Sequence, residues 1–384
     1  MTYTSDRIRI GLTVSILCLS FLCPCPVAGT AEQYASPFAM AVDKDGKSLY
    51  IAEYTAKQVA VFDIAGEKVL TTYLLPDKPT GLAIHPDGTR LYVTGESAQG
   101  HVQILDLKSG KILATAAVGH TPNAPVVSPD GKMLYVCNRF DNNVSVIDLA
   151  GQKQVAEIAV NREPVAAAVT PDGKFLFVAN LLPAGAADKD YTAANVSIID
   201  TAARKVIADV MLPNGSTSLR GICVSPEGTN VYVTHILARY QLPTTQLERG
   251  WMNTNDLTII DVNTKKRFNT ILLDEIDLGA ANPWAVACTA DGKFICVSHA
   301  GTHELSVIDR KALHEKLEKV AAGEKVSDVS ITVDDVPNDL AFLVEIRRRI
   351  KLDGNGPRGI ALAGEKVFVA EYFTDSLSIV DIDP

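Results

Sequence analysis

Seven times along this chain of 384 residues, a short apolar run leads into an Asp-Gly turn and a second apolar run follows. A third run then closes on an aspartate. The turns fall at Asp45-Gly46, Asp87-Gly88, Asp130-Gly131, Asp172-Gly173 and Asp291-Gly292, with variants at Glu227-Gly228 and Gly364-Glu365. The closing aspartates are Asp63, Asp106, Asp148, Asp200, Asp261, Asp309 and Asp381. The first four turns stand 42, 43 and 42 residues apart, the period of a four-stranded propeller blade. The repeat therefore predicts an all-β, seven-bladed β-propeller of four-stranded antiparallel blades spanning 32–384. One blade cannot bury both of its faces, so closing the ring is what creates the core.

Within the template blade the strands read Gly81–Ile84, Arg90–Thr94, His101–Asp106 and Lys111–Thr115. Asp-Gly supplies the positive φ of the first hairpin at low steric cost. The recurrent closing Asp reads as a turn former rather than as seven catalytic acids. Three blades are elaborated. Blade 4 inserts Leu181–Ala194 and blade 5 inserts 236–255, both between the second and third strands, on the face called the top. Blade 6 inserts 310–345 after its third strand, and apolar spacing over Lys311–Val320 predicts a surface helix there. This last insertion is expected underneath. Arg347, Arg348 and Arg349 read as a solvated basic face. Blade 7 lacks a fourth strand, which the N-terminal segment 31–36 is expected to supply, closing an exposed edge.

Residues 1–31 pair Arg7 and Arg9 with an apolar run Ile10–Leu22 and a small-residue exit. That pattern is a secretory signal, and the expectation is an exported protein, periplasmic or extracellular, with no membrane span once it is removed. The formal charge of −9 opposes binding to nucleic acid. Cys137, Cys223, Cys288 and Cys296 lie inside strand runs and are expected as small buried hydrophobes. There is no Cys-x-x-Cys-His, so the chain carries no c-type haem attachment motif.

The phrases Leu91-Tyr-Val-Thr94, Leu134-Tyr-Val-Cys-Asn138 and Phe175-Leu-Phe-Val-Ala-Asn180 resemble the signature of YVTN-repeat β-propeller proteins over residues 35 to 384. Pro243–Asn255 and Gly354–Gly359 are similar to stretches of longer bacterial propellers. Those proteins carry a C-terminal haem-attaching extension akin to cytochrome c peroxidases. The resemblance implies the seven-bladed fold. It also implies, as an alternative function, the propeller portion of a periplasmic redox system that docks a cytochrome c domain.

Aligned ends of the second strands give Glu53, Gly95, Asn138, Asn180, His235, His299 and Glu371. Gathered on the top face, His235, His299, Glu371 and Glu53 are candidate ligands for a divalent metal. That set would suit a lactonase-like hydrolase. The aligned starts of the first strands give Phe38, Thr80, Asn123, Val165, Arg220, Trp284 and Arg358, which should ring the mouth of the channel. Arg220, Trp284 and Arg358 are candidates to hold an anionic ligand or a partner's acidic patch, joined by Arg239, Arg249 and Trp251 from the blade 5 loop. No nucleophile motif or phosphate loop occurs. The main functional expectation is thus an exported scaffold that binds a ligand or protein with its top face.

Overall fold

A computed structural model describes residues 34–239 and 252–382. The signal assigned to 1–31 lies outside the described residues. The chain forms seven antiparallel sheets arranged in a ring, each lettered a to d outward from the axis. Blade 1 comprises Pro37–Val42, Ser48–Glu53, Gln58–Asp63 and Lys68–Leu74. Blade 2 comprises Pro79–Ile84, Arg90–Gly95, His101–Asp106 and Ile112–Ala117. Blade 3 comprises Pro122–Val127, Met133–Asn138, Asn143–Asp148 and Lys153–Ala159. Blade 4 comprises Pro164–Val169, Phe175–Asn180, Asn195–Asp200 and Lys205–Met211.

In blade 5 strand a is split into Ser216–Thr217 and Ile222–Val224, followed by Asn230–Ala238, Asn253–Asp261 and Lys266–Leu272. Blade 6 comprises Pro283–Cys288, Phe294–His299, Glu304–Asp309 and Arg347–Lys351. Blade 7 shows Pro357–Ala363, Lys366–Glu371 and Ser376–Asp381. A fourth strand for blade 7 is absent among the described residues. Residues 34–36 lie instead over the top of blade 1, where the Tyr54 and Thr55 amides donate to the Ser36 and Ala35 carbonyls. The Ser36 amide donates to Asp375 of blade 7 at 2.7 Å.

The repeat builds its turns by one recipe. Gly46, Gly88, Gly131, Gly173, Gly228, Gly292 and Gly364 all have φ between +59° and +78°, which an L side chain adopts only with strain. At the other end, Asp106, Asp148, Asp200 and Asp261 accept the amides of Ser109, Gly151, Ala203 and Thr264. In blade 6 the same aspartate, Asp309, caps a helix, α1 (Arg310–Ala321), by accepting from the Ala312 amide.

The core is divided into seven apolar clusters, one at each interface between neighbouring blades. The one that closes the ring packs Leu49, Ile51, Ala60 and Phe62 of blade 1 against Ala361 and Phe368 of blade 7. Inner strands approach most closely at small residues. A Cβ on Gly81 would sit 2.5 Å from Pro125 Cδ, and one on Gly359 would sit 2.7 Å from the Phe38 carbonyl oxygen.

The blade 6 insertion is not confined to the underside. It starts below with α1 and climbs the outer flank of blade 5. There Asn269 donates to the Val333 carbonyl at 3.2 Å, and Arg239, at the top, reaches Asn338. Leu313, Leu317, Val336, Phe342 and Leu343 join the core between blades 5 and 6. Strand d of blade 5 is accordingly buried from Asn269 to Leu272, whereas strand d of blade 1 is exposed almost throughout. The blade 5 insertion also begins as strand. Ile236, Leu237 and Ala238 pair with Asn255, Thr254 and Asn253, extending the hairpin before its tip. No helix among the described residues is long and apolar enough to cross a membrane.

Candidate functional site

Strand a begins with proline in six blades, at Pro37, Pro79, Pro122, Pro164, Pro283 and Pro357. Proline suits the first position of a strand because no ladder donor is lost there. Directly after it the a–b register shifts in five of these blades, and in blade 3 it shifts just beyond Asn123. A bulge re-aims the side chain next to it, and in those five blades the residues at the shifts, Phe38, Thr80, Val165, Trp284 and Arg358, ring the axis. Phe38, Thr80, Asn123, Val165, Arg220, Trp284 and Arg358 all line one cavity of about 490 Å³ at the top of the channel.

Four more charged or aromatic side chains line it that the strand-start alignment does not find: Tyr54, Glu96, Arg139 and Tyr372. Each stands one residue past the end of strand b in blades 1, 2, 3 and 7. The mouth is therefore aromatic on the blade 7–1 side. Phe38 lies 5.9 Å from Tyr54, 6.3 Å from Trp284 and 6.3 Å from Tyr372 between ring centroids. Two guanidiniums stack on this wall. Arg220 Cζ is 4.1 Å from the Trp284 centroid, and Arg358 Cζ is 3.5 Å from that of Tyr372 and 4.6 Å from that of Trp284. Such contacts use the flat faces of the guanidiniums and leave their N–H edges for other partners.

No carboxylate lies within ion-pair distance of Arg220 or Arg358 among the described residues. Arg220 Nε is buried without a hydrogen-bond partner. Burial, and then the neighbouring charges of Arg358 and Arg139, pull the Arg220 pKa down to about 10. Burial also lowers that of Arg358, against the opposing influence of Tyr372. Both remain cationic at neutral pH. The carboxylate that does line the cavity, Glu96, accepts from the Tyr54 hydroxyl, and Arg139 is held by Glu163 at 2.9 Å. The mouth is a positively charged, aromatic-walled recess in which neither Arg220 nor Arg358 has a carboxylate partner among the described residues, and Arg220 Nε has no acceptor.

The second candidate set is placed elsewhere. His235, His299, Glu371 and Glu53 do not line the cavity, and the described residues contain no group of three or more His, Cys, Asp or Glu arranged to hold a metal ion. Each is hydrogen-bonded into the framework instead, with His235 Nδ1 the one ring nitrogen of the set left without a partner. His235 Nε2 lies 2.8 Å from Thr258 Oγ1, and His299 Nε2 lies 2.8 Å from Ser306 Oγ with Nδ1 2.9 Å from the Ala280 carbonyl. Glu371 accepts from the Gly354 amide, Ser376 and Ser378, and Glu53 accepts from Gln58. Asn138 and Asn180 do the same toward Ser145 and Ser197. The position is a buried clamp between strands b and c, repeated around the ring. Side chains alternate faces along a strand, so a shift of one residue exchanges blade interior for mouth.

The third group separates as well. Arg239 does not line the mouth. Its Nη1 donates to Asn338 Oδ1 at 2.6 Å and its Nη2 to the Pro337 carbonyl at 2.8 Å, so the blade 6 insertion draws it outward. Arg249 and Trp251 lie outside the described residues. The arginine run is likewise structural. The Arg347 and Arg349 side chains are only 2% and 9% exposed and pair with Glu275 and Glu304. Arg349 also donates to the carbonyls of Leu278 and Gly279, and Arg348 to that of Ile382 in the last turn of blade 7. Arg347 and Arg349 are drawn to Glu275 and Glu304, and Arg348, although exposed, bonds toward blade 7, so the three do not form one solvated face.

The family profile described as Cytochrome D1 heme domain matches residues 86–232. Over 188 residues the chain is 27% identical to the hydrazine synthase subunit beta of Kuenenia stuttgartiensis. That match covers 48% of this chain and 46% of the relative, less than half the relative's length. A chain in the solved structure of Kuenenia stuttgartiensis hydrazine synthase superposes with a TM-score of 0.81 at 24% identity. The superposition covers 93% of this chain and 99% of that one. The shared feature is the fold.

The profile's name raises the question of haem. Iron in a haem takes an axial His, Cys, Met or Tyr. None of the seven histidines of the chain lines the cavity, and neither does Cys137, Cys223, Cys288 or Cys296. Of the remaining donor types, Tyr54 is engaged by Glu96 and Tyr372 is covered by Arg358, leaving Met40. The mouth does not fit a His- or Cys-ligated haem.

Proposed function

We propose that this chain is the propeller component of a redox enzyme assembly, and that its mouth captures an anionic group presented by a partner subunit. One observation carries the reading: Arg220 and Arg358 stack on Trp284 and Tyr372 with no carboxylate to neutralise them among the described residues. The similarity to a subunit of hydrazine synthase and to the Cytochrome D1 heme domain supports the redox setting and a protein partner. The likeness of Pro243–Asn255 and Gly354–Gly359 to propellers that precede a haem-bearing extension points the same way. Export directed by residues 1–31 belongs to the same proposal.

In this role the propeller contributes shape and charge, and electron transfer resides in the partner. A carboxylate brought to the mouth would accept bidentate, charge-assisted hydrogen bonds from guanidinium edges already fixed by stacking. Little side-chain freedom remains to be lost on binding. Hydrogen bonds to charged groups are worth about 1.5–3 kcal/mol each, so even one such bond per arginine should supply roughly 10- to 150-fold in affinity.

The test is to isolate the tagged chain from its native cell and measure haem absorbance per chain. The wild-type chain should carry a haem-bearing partner near stoichiometry. R220A/R358A should lose at least tenfold of that haem while its unfolding temperature stays within about 2 °C, since no protein partner is orphaned. Retention of the partner by the double variant, or a wild-type chain that carries no haem protein after gentle isolation, refutes the proposal.

A further inference from the structure

Cys223 and Cys288 sit on strands a of blades 5 and 6, the two inner strands whose upper ends carry Arg220 and Trp284. Their Sγ atoms are 3.7 Å apart. Both pack against the apolar cluster between these blades and both are partly accessible. The other two described cysteines are placed differently. Cys137 is buried in the cluster between blades 3 and 4, and Cys296 packs toward blade 7. One sulfur pair is therefore in van der Waals contact, across a blade interface and between residues 65 apart in sequence.

The backbone around the pair is held firmly. Gly221 lets the two inner strands approach, because a Cβ there would run into the Trp284 carbonyl oxygen. Thr234 Oγ1 donates to that same carbonyl at 2.9 Å and accepts from the Gly221 amide at 2.9 Å. A disulfide needs an S–S separation of about 2.05 Å. Closing the remaining gap of roughly 1.7 Å calls for rotation of the two side chains and a small shift of the strands that carry them.

We propose that Cys223 and Cys288 form an oxidisable interblade disulfide that staples blades 5 and 6 beneath the mouth. The oxidant is a disulfide-bearing thiol carrier. One cysteine loses its proton and its thiolate attacks a carrier sulfur, breaking the carrier disulfide and releasing one carrier thiol. The second cysteine loses its proton and attacks the sulfur of the mixed disulfide, forming the Sγ–Sγ bond and expelling the second carrier thiol. Two protons and two electrons pass from the cysteine pair to the carrier. The Cys223 thiol is raised well above the ordinary cysteine range by its contact with Cys288 and by burial. Oxidation should accordingly be slow near neutrality and accelerate toward higher pH.

The experiment incubates the folded, full-length protein with glutathione disulfide, blocks remaining thiols, and maps linked peptides by mass spectrometry without reduction. The expected product joins Cys223 to Cys288, and the oxidised protein should unfold several degrees higher than the reduced one, since a long loop is closed in the unfolded chain. C223S and C288S should each abolish both the linked peptide and the shift, while C137S and C296S preserve them. The comparison of reduced with oxidised wild-type protein needs no variant, so poor folding of a serine substitution leaves the test intact. Thiols of Cys137, Cys223, Cys288 and Cys296 that all stay free in the folded protein, or a dominant link through Cys296 or Cys137, overturn the proposal. Neither result depends on the partner bound at the mouth.

Discussion

Replacing His299 with Asn probes whether the blade interiors hold neutral imidazoles. His299 is fully buried. A neutral ring satisfies its site: Nδ1–H donates to the Ala280 carbonyl, and Nε2 accepts from the Ser306 hydroxyl. Burial, with Arg347 and Arg349 nearby adding to it, depresses the pKa to about 3 despite the bond to Ala280. The unfolded value is about 6.5. Above pH 6.5 the ring is neutral in both states and contributes no pH dependence. Below it, the unfolded chain takes up a proton that the folded chain refuses. Stability is lost as pH falls from about 6.5 toward 3, with a slope approaching 1.4 kcal/mol per pH unit. Between pH 7 and pH 4.5 the loss from this one residue is roughly 2.5 kcal/mol.

Asparagine is the substitution that the ring already uses, because Asn138 and Asn180 hold the same position in blades 3 and 4 and donate to Ser145 and Ser197. H299N should keep the bond to Ser306 while abolishing the titration. At pH 7 the variant should be less stable by about 1–2 kcal/mol, from lost volume and the abandoned Ala280 carbonyl. That deficit should shrink on acidification and reverse near pH 5. Urea denaturation of both proteins at pH 7, 6, 5 and 4.5 measures it, and other carboxylates cancel in the difference. A wild-type-minus-variant gap that stays constant across this range refutes the neutral, proton-refusing imidazole.

Two further substitutions separate framework from site. G221A should cost about 2–4 kcal/mol, since the obstructing atom is backbone and cannot swing aside; in a W251F background, the emission of Trp284 should shift as its stacking with Arg220 is disturbed. R349A should destabilise by about 3–5 kcal/mol in thermal or urea unfolding, because it strands Glu304 in a partly buried site. If R349A unfolds like wild type, the blade 6 arginines are not clamps and the contrast with R220A/R358A loses its meaning.

The ring was legible because its cause is periodic. Asp-Gly turns and closing aspartates recur at fixed phase, so seven blades and the inner-strand residues Phe38 to Arg358 follow from alignment alone. Errors arose where phase within a strand matters. The ends of strand b at Glu53, His235, His299 and Glu371 aligned correctly but face strand c. One residue later, Tyr54, Glu96, Arg139 and Tyr372 reach the mouth. A signal for this was present: small or hydroxyl residues Ser145, Ser197, Thr258, Ser306 and Ser378 recur at one position of strand c, as buried polar partners should. The path of the blade 6 insertion was not legible, since nothing local in Val336 or Phe342 tells which blade they cover. Nor was the pairing of Arg347 and Arg349, whose carboxylates come from Glu275 and Glu304, residues distant in sequence.

The case for a ligand at the mouth rests on how this fold treats its other sheltered arginines. Arg139 has Glu163, Arg310 has Glu227 and the Tyr232 hydroxyl, Arg347 has Glu275, and Arg349 has Glu304. Leaving a buried charge uncompensated costs more than an ordinary packing defect, which is why native structures pair them. Among the described residues Arg239 also lacks a carboxylate, but it is at least held by Asn338 and the Pro337 carbonyl. Arg220 and Arg358 stand side by side in the mouth cavity with no carboxylate among the described residues, and Arg220 Nε is buried with no acceptor. Aromatic faces relieve part of the penalty by cation–π attraction, yet they leave Arg220 Nε without an acceptor. Glu96, the nearest means of neutralisation in the lining, is turned to the Tyr54 hydroxyl instead. A framework that needed these charges only for stability would have supplied a carboxylate. A site that binds an anion has to leave that place open.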